Sequence, residues 1–173
     1  GAQEGLRSSD VTGTEAYAIG LELLRGAAGD AWVLACGAPL LPSLGFAEQY
    51  RTGADIAFEV SEAPGPAFLR WQARSTAARA WTNGAWWWID PDQVILREPF
   101  TDAEARAAVV AQAVSGGAWL LGDDLAGLPE ARLALALHPG VVALRGEAAT
   151  PVNLLGHTSG IDPSPVVERT QAD

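Results

Sequence analysis

Short apolar runs alternate with helix-forming stretches along this chain, four times in succession, and that alternation restricts the fold more than any other feature. The apolar runs fall at 32–36, 56–60, 86–89 and 118–121. They are too short for buried helices and read as strands. Thr12-Gly13-Thr14-Glu15 has the pattern of a capping box and opens a helix through about Arg25, stopped by Ala28-Gly29-Asp30. Residues 40–50 read as a loop with a short helical turn. Glu62-Ala63-Pro64-Gly65-Pro66 breaks the chain ahead of a helical stretch at 67–81, where Arg70, Arg74 and Arg79 mark a wet face. Thr101-Asp102-Ala103-Glu104 repeats the capping box and opens a helix to about Val114. Pro129 sits at a favourable first-turn position for a last helix to Leu137. Strands separated by helices imply an α/β fold with a parallel sheet and right-handed crossovers. A closed (β/α)8 barrel takes about 250 residues, so a chain of 173 residues amounts to part of one, about half.

The bulk properties narrow the ligand. Apolar residues make up 49% and charged residues 18%, enough for one domain with a real core. Residues 1–150 read as that domain, and 151–173, rich in Gly, Pro, Ser and Thr, as a loop or tail. The net charge of −10 disfavours nucleic acid and anionic membranes and suits a neutral or cationic ligand. Every basic residue is Arg, and there is no Met, so the chain reads as cut from something longer or processed. The single Cys36 has no internal disulfide partner, and no Cys/His spacing suggests a metal. No signal peptide is visible. The charge-free run 107–122 contains Gln112, Ser115 and three Gly and is not a membrane span. No GxGxxG or P-loop points to a nucleotide, and no cofactor is implied.

Acids and a guanidinium gather where the apolar runs begin or end, which is where α/β barrels keep their chemistry. The passages are Cys36-Gly37-Ala38-Pro39-Leu40, Arg51-Thr52-Gly53-Ala54-Asp55, Asp90-Pro91-Asp92 and Gly122-Asp123-Asp124-Leu125. Asp55, four residues after Arg51 and at the entry to the second run, has two readings: a structural ion pair or cap, or a proton-transferring acid. Asp-Pro-Asp is a common turn, with Asx bonds to the backbone, or a floor that a ligand touches. Asp123 and Asp124 either cap the segment toward Pro129 or reach substrate. Seven Trp are many for this length; they pack in the core or offer stacking platforms to a ligand. Trp86-Trp87-Trp88 must alternate faces on a strand, so at most two can line a site. Cys36 has no His neighbour to activate it. His138 lies at a helix end, where capping suffices. His157 lies in the tail.

Taken together, these motifs resemble the melibiase-type α-galactosidases, the retaining glycoside hydrolases of family 36 and their relatives in family 27. The resemblance covers roughly residues 16–137. It rests on a strand ending in Cys36 with Pro39-Leu40 after it, Arg51-x-x-x-Asp55, Asp90-Pro91-Asp92, and Gly116-Gly117 leading to Asp124-Leu125. It implies that the chain is the C-terminal half of the barrel, strands five to eight. It implies that Asp55 is the general acid/base, with Arg51 beside the sugar and the carboxylates. It also implies that Cys36, Gly37 and Leu40, in and around the loop 37–41, lie where sugar hydroxyls are distinguished, that Asp92 belongs to the floor of the site, and that Asp124 contacts substrate. The family's nucleophile stands in a Lys-x-Asp strand. This chain has no Lys.

The leading expectation is therefore an α-galactosidase-like fragment carrying the acid/base and lacking the nucleophile. Its partners would be an α-galactoside or related sugar and a missing N-terminal half, or a second copy of itself. The alternative is a non-catalytic half-barrel, an assembly or sugar-binding module. A remoter one is an open α/β domain holding a small ligand at its strand ends.

Overall fold

A computed structural model describes residues 11–56, 66–145, 150–152 and 166–168; side chains at 66–68, 150–152 and 166–168 are outside the description. The elements are α1 (Gly13–Ala28), β1 (Leu34–Ala35), β2 (Gln49–Arg51), α2 (Pro66–Arg79), β3 (Trp88–Asp90), β4 (Gln93–Val94), α3 (Asp102–Ser115), β5 (Leu120–Leu121), α4 (Glu130–Leu137), α5 (Pro139–Ala143), β6 (Thr150–Val152) and β7 (Val166–Glu168). Single 3₁₀ turns occupy Leu41–Ser43 and Ala80–Thr82.

Both capping boxes form. Thr12 Oγ1 accepts from Glu15 N at 3.2 Å while Glu15 Oε2 accepts from Thr12 N at 2.8 Å. Thr101 and Glu104 repeat the exchange at the start of α3. This satisfies N–H groups that a helix cannot bond internally. Helix α3 ends on Gly116, which takes the left-handed φ of +69° that L side chains resist. His138 Nδ1 accepts from Gly140 N at 3.1 Å and caps α5.

The parallel pairings run β1 to β2, β2 to β3, and β4 to β5. Strands β3 and β4 flank Pro91-Asp92, and Asp92 has a φ of +71°. The bend divides one strand into two pairing segments. Ala118 N donates to Ile89 O at 2.9 Å and Gly122 N to Val94 O at 3.0 Å, so β5 follows both sides of the bend. The order β1, β2, β3/β4, β5 is the chain order with no reversal. A doubly wound sheet needs a reversal to make its ligand crevice; a singly wound barrel segment has none.

The second strand corrects the sequence reading. Of the stretch 56–60, Ile56 is in the loop after β2, and 57–60 are outside the described residues. The strand is Gln49-Tyr50-Arg51, inside the stretch read as loop. It escapes an apolar-run search because only one of its two faces is packed. Tyr50 is buried while Gln49 and Arg51 point to the other face. The helix α5 and the antiparallel pair β6–β7 were not anticipated either.

One face of the sheet carries the core. Ala35, Tyr50, Trp87 and Ile89 form one cluster, with Tyr50 stacked on Trp87 at 4.4 Å and 14°. Val94, Leu96, Ala105, Val109 and Ala136 form another beneath α3 and α4. Each fully buried Ile or Leu here contributes roughly 1.5–3 kcal/mol relative to exposure. On the opposite face Leu34, Gln49 and Trp88 are in register, and Trp88 is 51% exposed.

Candidate active site

The C-terminal end of β2 puts Arg51 in the middle of three carboxylates. Its Nε donates to Asp90 Oδ2 at 2.8 Å. Its Nη1 donates to Asp55 Oδ1 at 2.9 Å and stands 3.2 Å from Asp92 Oδ1. Asp90 faces Arg51 because the two are register partners across β2 and β3. Asp92 reaches the guanidinium because its left-handed backbone turns the chain back, a conformation Asp tolerates better than most residues. Asp55 comes from the loop that leaves β2.

The three acids differ in what remains free. Asp90 is fully buried: Oδ2 meets Arg51 and Oδ1 accepts from Asp92 N at 2.8 Å. Asp92 is 4% exposed, with Oδ1 toward Arg51 and Oδ2 accepting from Ile56 N at 2.6 Å. Asp55 has a 53% exposed side chain and meets the cluster through a single oxygen. Burial works against the charge on Arg51. The hydrogen bond from Asp90 and the charges of Asp90 and Asp92 outweigh it and push the guanidinium above the usual arginine range. Arg51 is thus a fixed cation and Asp55 the one acid of the three that faces solvent.

Thr52 fixes the strand end from behind. Its amide donates to Asp90 O at 2.9 Å and its hydroxyl meets Thr76 Oγ1 of α2 at 2.7 Å. Gln72 Nε2 donates to Thr52 Oγ1 at 3.2 Å, and Ser75 Oγ bonds Thr52 O. Helix α2 therefore holds Thr52, at the end of β2, by three polar side chains that the sequence reading did not single out. A clue was available: Gln72, Thr76 and Thr52 are polar residues in apolar surroundings, and such groups need partners.

The remaining expected site residues divide. Cys36 is exposed, directly after β1. Gly37 follows with a φ of +64° and Leu40 is half-buried. Tyr50 Oη donates to Ala38 O at 2.5 Å and Ser43 Oγ to Pro39 O at 2.6 Å, so this loop is anchored beside the cluster. Asp124 is elsewhere. Its Oδ1 caps Ala126 N at 3.2 Å, on the wall of a crevice of about 340 Å³ shared with Arg97, Asp123 and Arg132. Asp123, not Asp124, is the buried acid there: Oδ2 accepts from Leu96 N at 2.6 Å and Oδ1 from Arg97 Nη1 at 2.8 Å. Trp86 and Trp87 pack edge to face, and Trp81 packs against Trp86.

The arrangement can present one solvent-facing carboxyl beside a permanent positive charge, at the end of a parallel sheet. No family model matches the chain. Among solved structures it is similar to the α-galactosidase from Thermus thermophilus in complex with stachyose, with 30% identity and a TM-score of 0.58 over 72% of this chain and 29% of that one. It is similar to the same enzyme in complex with p-nitrophenyl α-D-galactopyranoside, with 27% identity and a TM-score of 0.58 over 80% of this chain and 30% of that one. The chain thus spans about 30% of the length of the structures it matches. Its fold is α-galactosidase-like, a partial barrel of parallel strands and helices.

Proposed function

We propose that this chain is the acid/base-bearing portion of a retaining glycoside hydrolase acting on α-galactosides, and that β1 to β5 correspond to strands five to eight of its barrel. Asp55 protonates the departing glycosidic oxygen and then takes a proton from the attacking water. Arg51 orients Asp55 and meets sugar hydroxyls, and the loop from Cys36 to Leu40 borders the sugar. The supporting observation is the single half-exposed Asp55 held by Arg51 at the strand ends of an α-galactosidase-like fold.

Retention needs a second carboxylate about 5–5.5 Å from the first. Asp90 and Asp92 are closest to hand, but both are buried and spent on Arg51 and on backbone N–H groups. The nucleophile therefore comes from βα units that complete the barrel. A second reading, an assembly or sugar-binding module without turnover, draws on the half-exposed Trp88, Trp32 and Leu120, apolar surface of a kind that a partner normally covers.

The test is hydrolysis of p-nitrophenyl α-D-galactopyranoside by the chain alone and after mixing with a half-barrel carrying a Lys-x-Asp strand. The isolated chain is expected to be inactive and the mixture active on α- but not β-galactosides. Robust turnover by the chain alone would overturn the assignment of the nucleophile. An assembled but inactive mixture would favour the module.

A further inference from the structure

We infer that Asp92 is a positioning residue: its carboxylate latches the loop that carries Asp55, and it does not serve as a sugar ligand. The inference rests on the reading of Asp55 as the acid/base. Both Asp92 oxygens are engaged, Oδ1 with Arg51 and Oδ2 with Ile56 N at 2.6 Å. Ile56 adjoins Asp55 and is itself buried to 1% exposure. Asp55 is therefore held from both sides, by Arg51 through its side chain and by Asp92 through the next peptide. With a 6% exposed side chain, Asp92 has almost no surface to offer a ligand.

The backbone agrees with this. Asp92 is the one non-glycine among the described residues with a positive φ. Such a conformation persists where its surroundings over-determine it. Asp90 does so here: its Oδ1 accepts the Asp92 amide at 2.8 Å while its Oδ2 fixes Arg51. The same device recurs one strand further on. Asp123, after β5, accepts Leu96 N at 2.6 Å from the loop after β4 and pairs with Arg97 at 2.8 Å. In each case an acid from the next strand reaches back, takes a backbone N–H of the preceding loop and pairs with an arginine of that loop or strand end. Two instances with the same partners in kind point to a latch.

Three variants of the whole chain test it, read by amide exchange at Ile56. Asp92→Asn keeps the left-handed backbone and one oxygen. Asp92→Gly adopts the same φ freely but has no oxygen. Asp92→Ala lacks both. The latch predicts that Asn preserves exchange protection at Ile56, while Gly and Ala speed exchange on the order of tenfold or more. Equal protection in Asn and Gly would show that only backbone strain mattered and would overturn the latch. This readout does not depend on turnover. Asp55→Ala tests the acid/base reading separately, in the assembled enzyme, so the two can fail independently.

Discussion

Two arginine clusters sit at strand ends in this molecule, and they differ by one residue that matters. Around Arg97, the buried Asp123 holds the arginine and a backbone amide, and the assembly is complete. Around Arg51, Asp92 does the same work and Asp90 adds a second buried partner, yet a third acid, Asp55, also joins and stays half exposed. Latching a loop takes one acid and one arginine. The surplus, solvent-facing acid is the one to which the proposed function assigns chemistry.

The largest effect on stability should separate the clusters. Arg51→Ala strands the fully buried Asp90 and the nearly buried Asp92 without their cation, and should cost about 3–5 kcal/mol. Arg97 is 40% exposed, so water screens its pairing, and its loss strands one buried acid rather than two. Arg97→Ala should cost roughly 1 kcal/mol. Urea unfolding of both variants checks the difference, and equal losses would erase the distinction drawn here.

The smallest effect lies outside both clusters, in the exposed capping boxes. The Thr101 amide and then the Thr101 hydroxyl hold the Glu104 carboxyl below the usual range, and Thr12 does the same for Glu15. A depressed folded-state value means that the contribution is fully present above the ordinary carboxylate value of 4.5 and is lost as pH falls through the lower folded value. Glu104→Gln should therefore flatten a small part of the stability loss below pH 4.5, and leave the neutral-pH behaviour of the Arg51 cluster unchanged. Thermal unfolding between neutral and acid pH checks it.

How much of this was legible follows from which interactions are local. The capping boxes and helix starts were readable because their partners lie three residues apart. The company of Arg51, Asp55 and Asp92 was expected from motif resemblance, and the structure places the three together. Strand β2 was misplaced because its pattern, Gln-Tyr-Arg, carries one buried apolar residue, and its open face accepts polar side chains. The partnership of Asp90 with Arg51 depends on strand register 39 residues apart, which local pattern cannot reveal. The exchange of roles between Asp123 and Asp124 has the same cause. Whichever of two adjacent acids faces Leu96 becomes the latch, and that depends on how β5 pairs with β4.

The central claim is that Asp55 is spare for folding and needed for chemistry, unlike every other member of its cluster. Asp55→Ala, made in the protein assembled with its complementary half, tests this with two readings on one variant. The unfolding free energy should stay within about 0.5 kcal/mol, as for an exposed ion pair. Turnover of an α-galactoside with an unactivated leaving group should fall by roughly 10²–10⁴-fold, and that of the nitrophenyl substrate by much less. A stability loss approaching that of Arg51→Ala, or unchanged turnover on the unactivated substrate, would contradict the account.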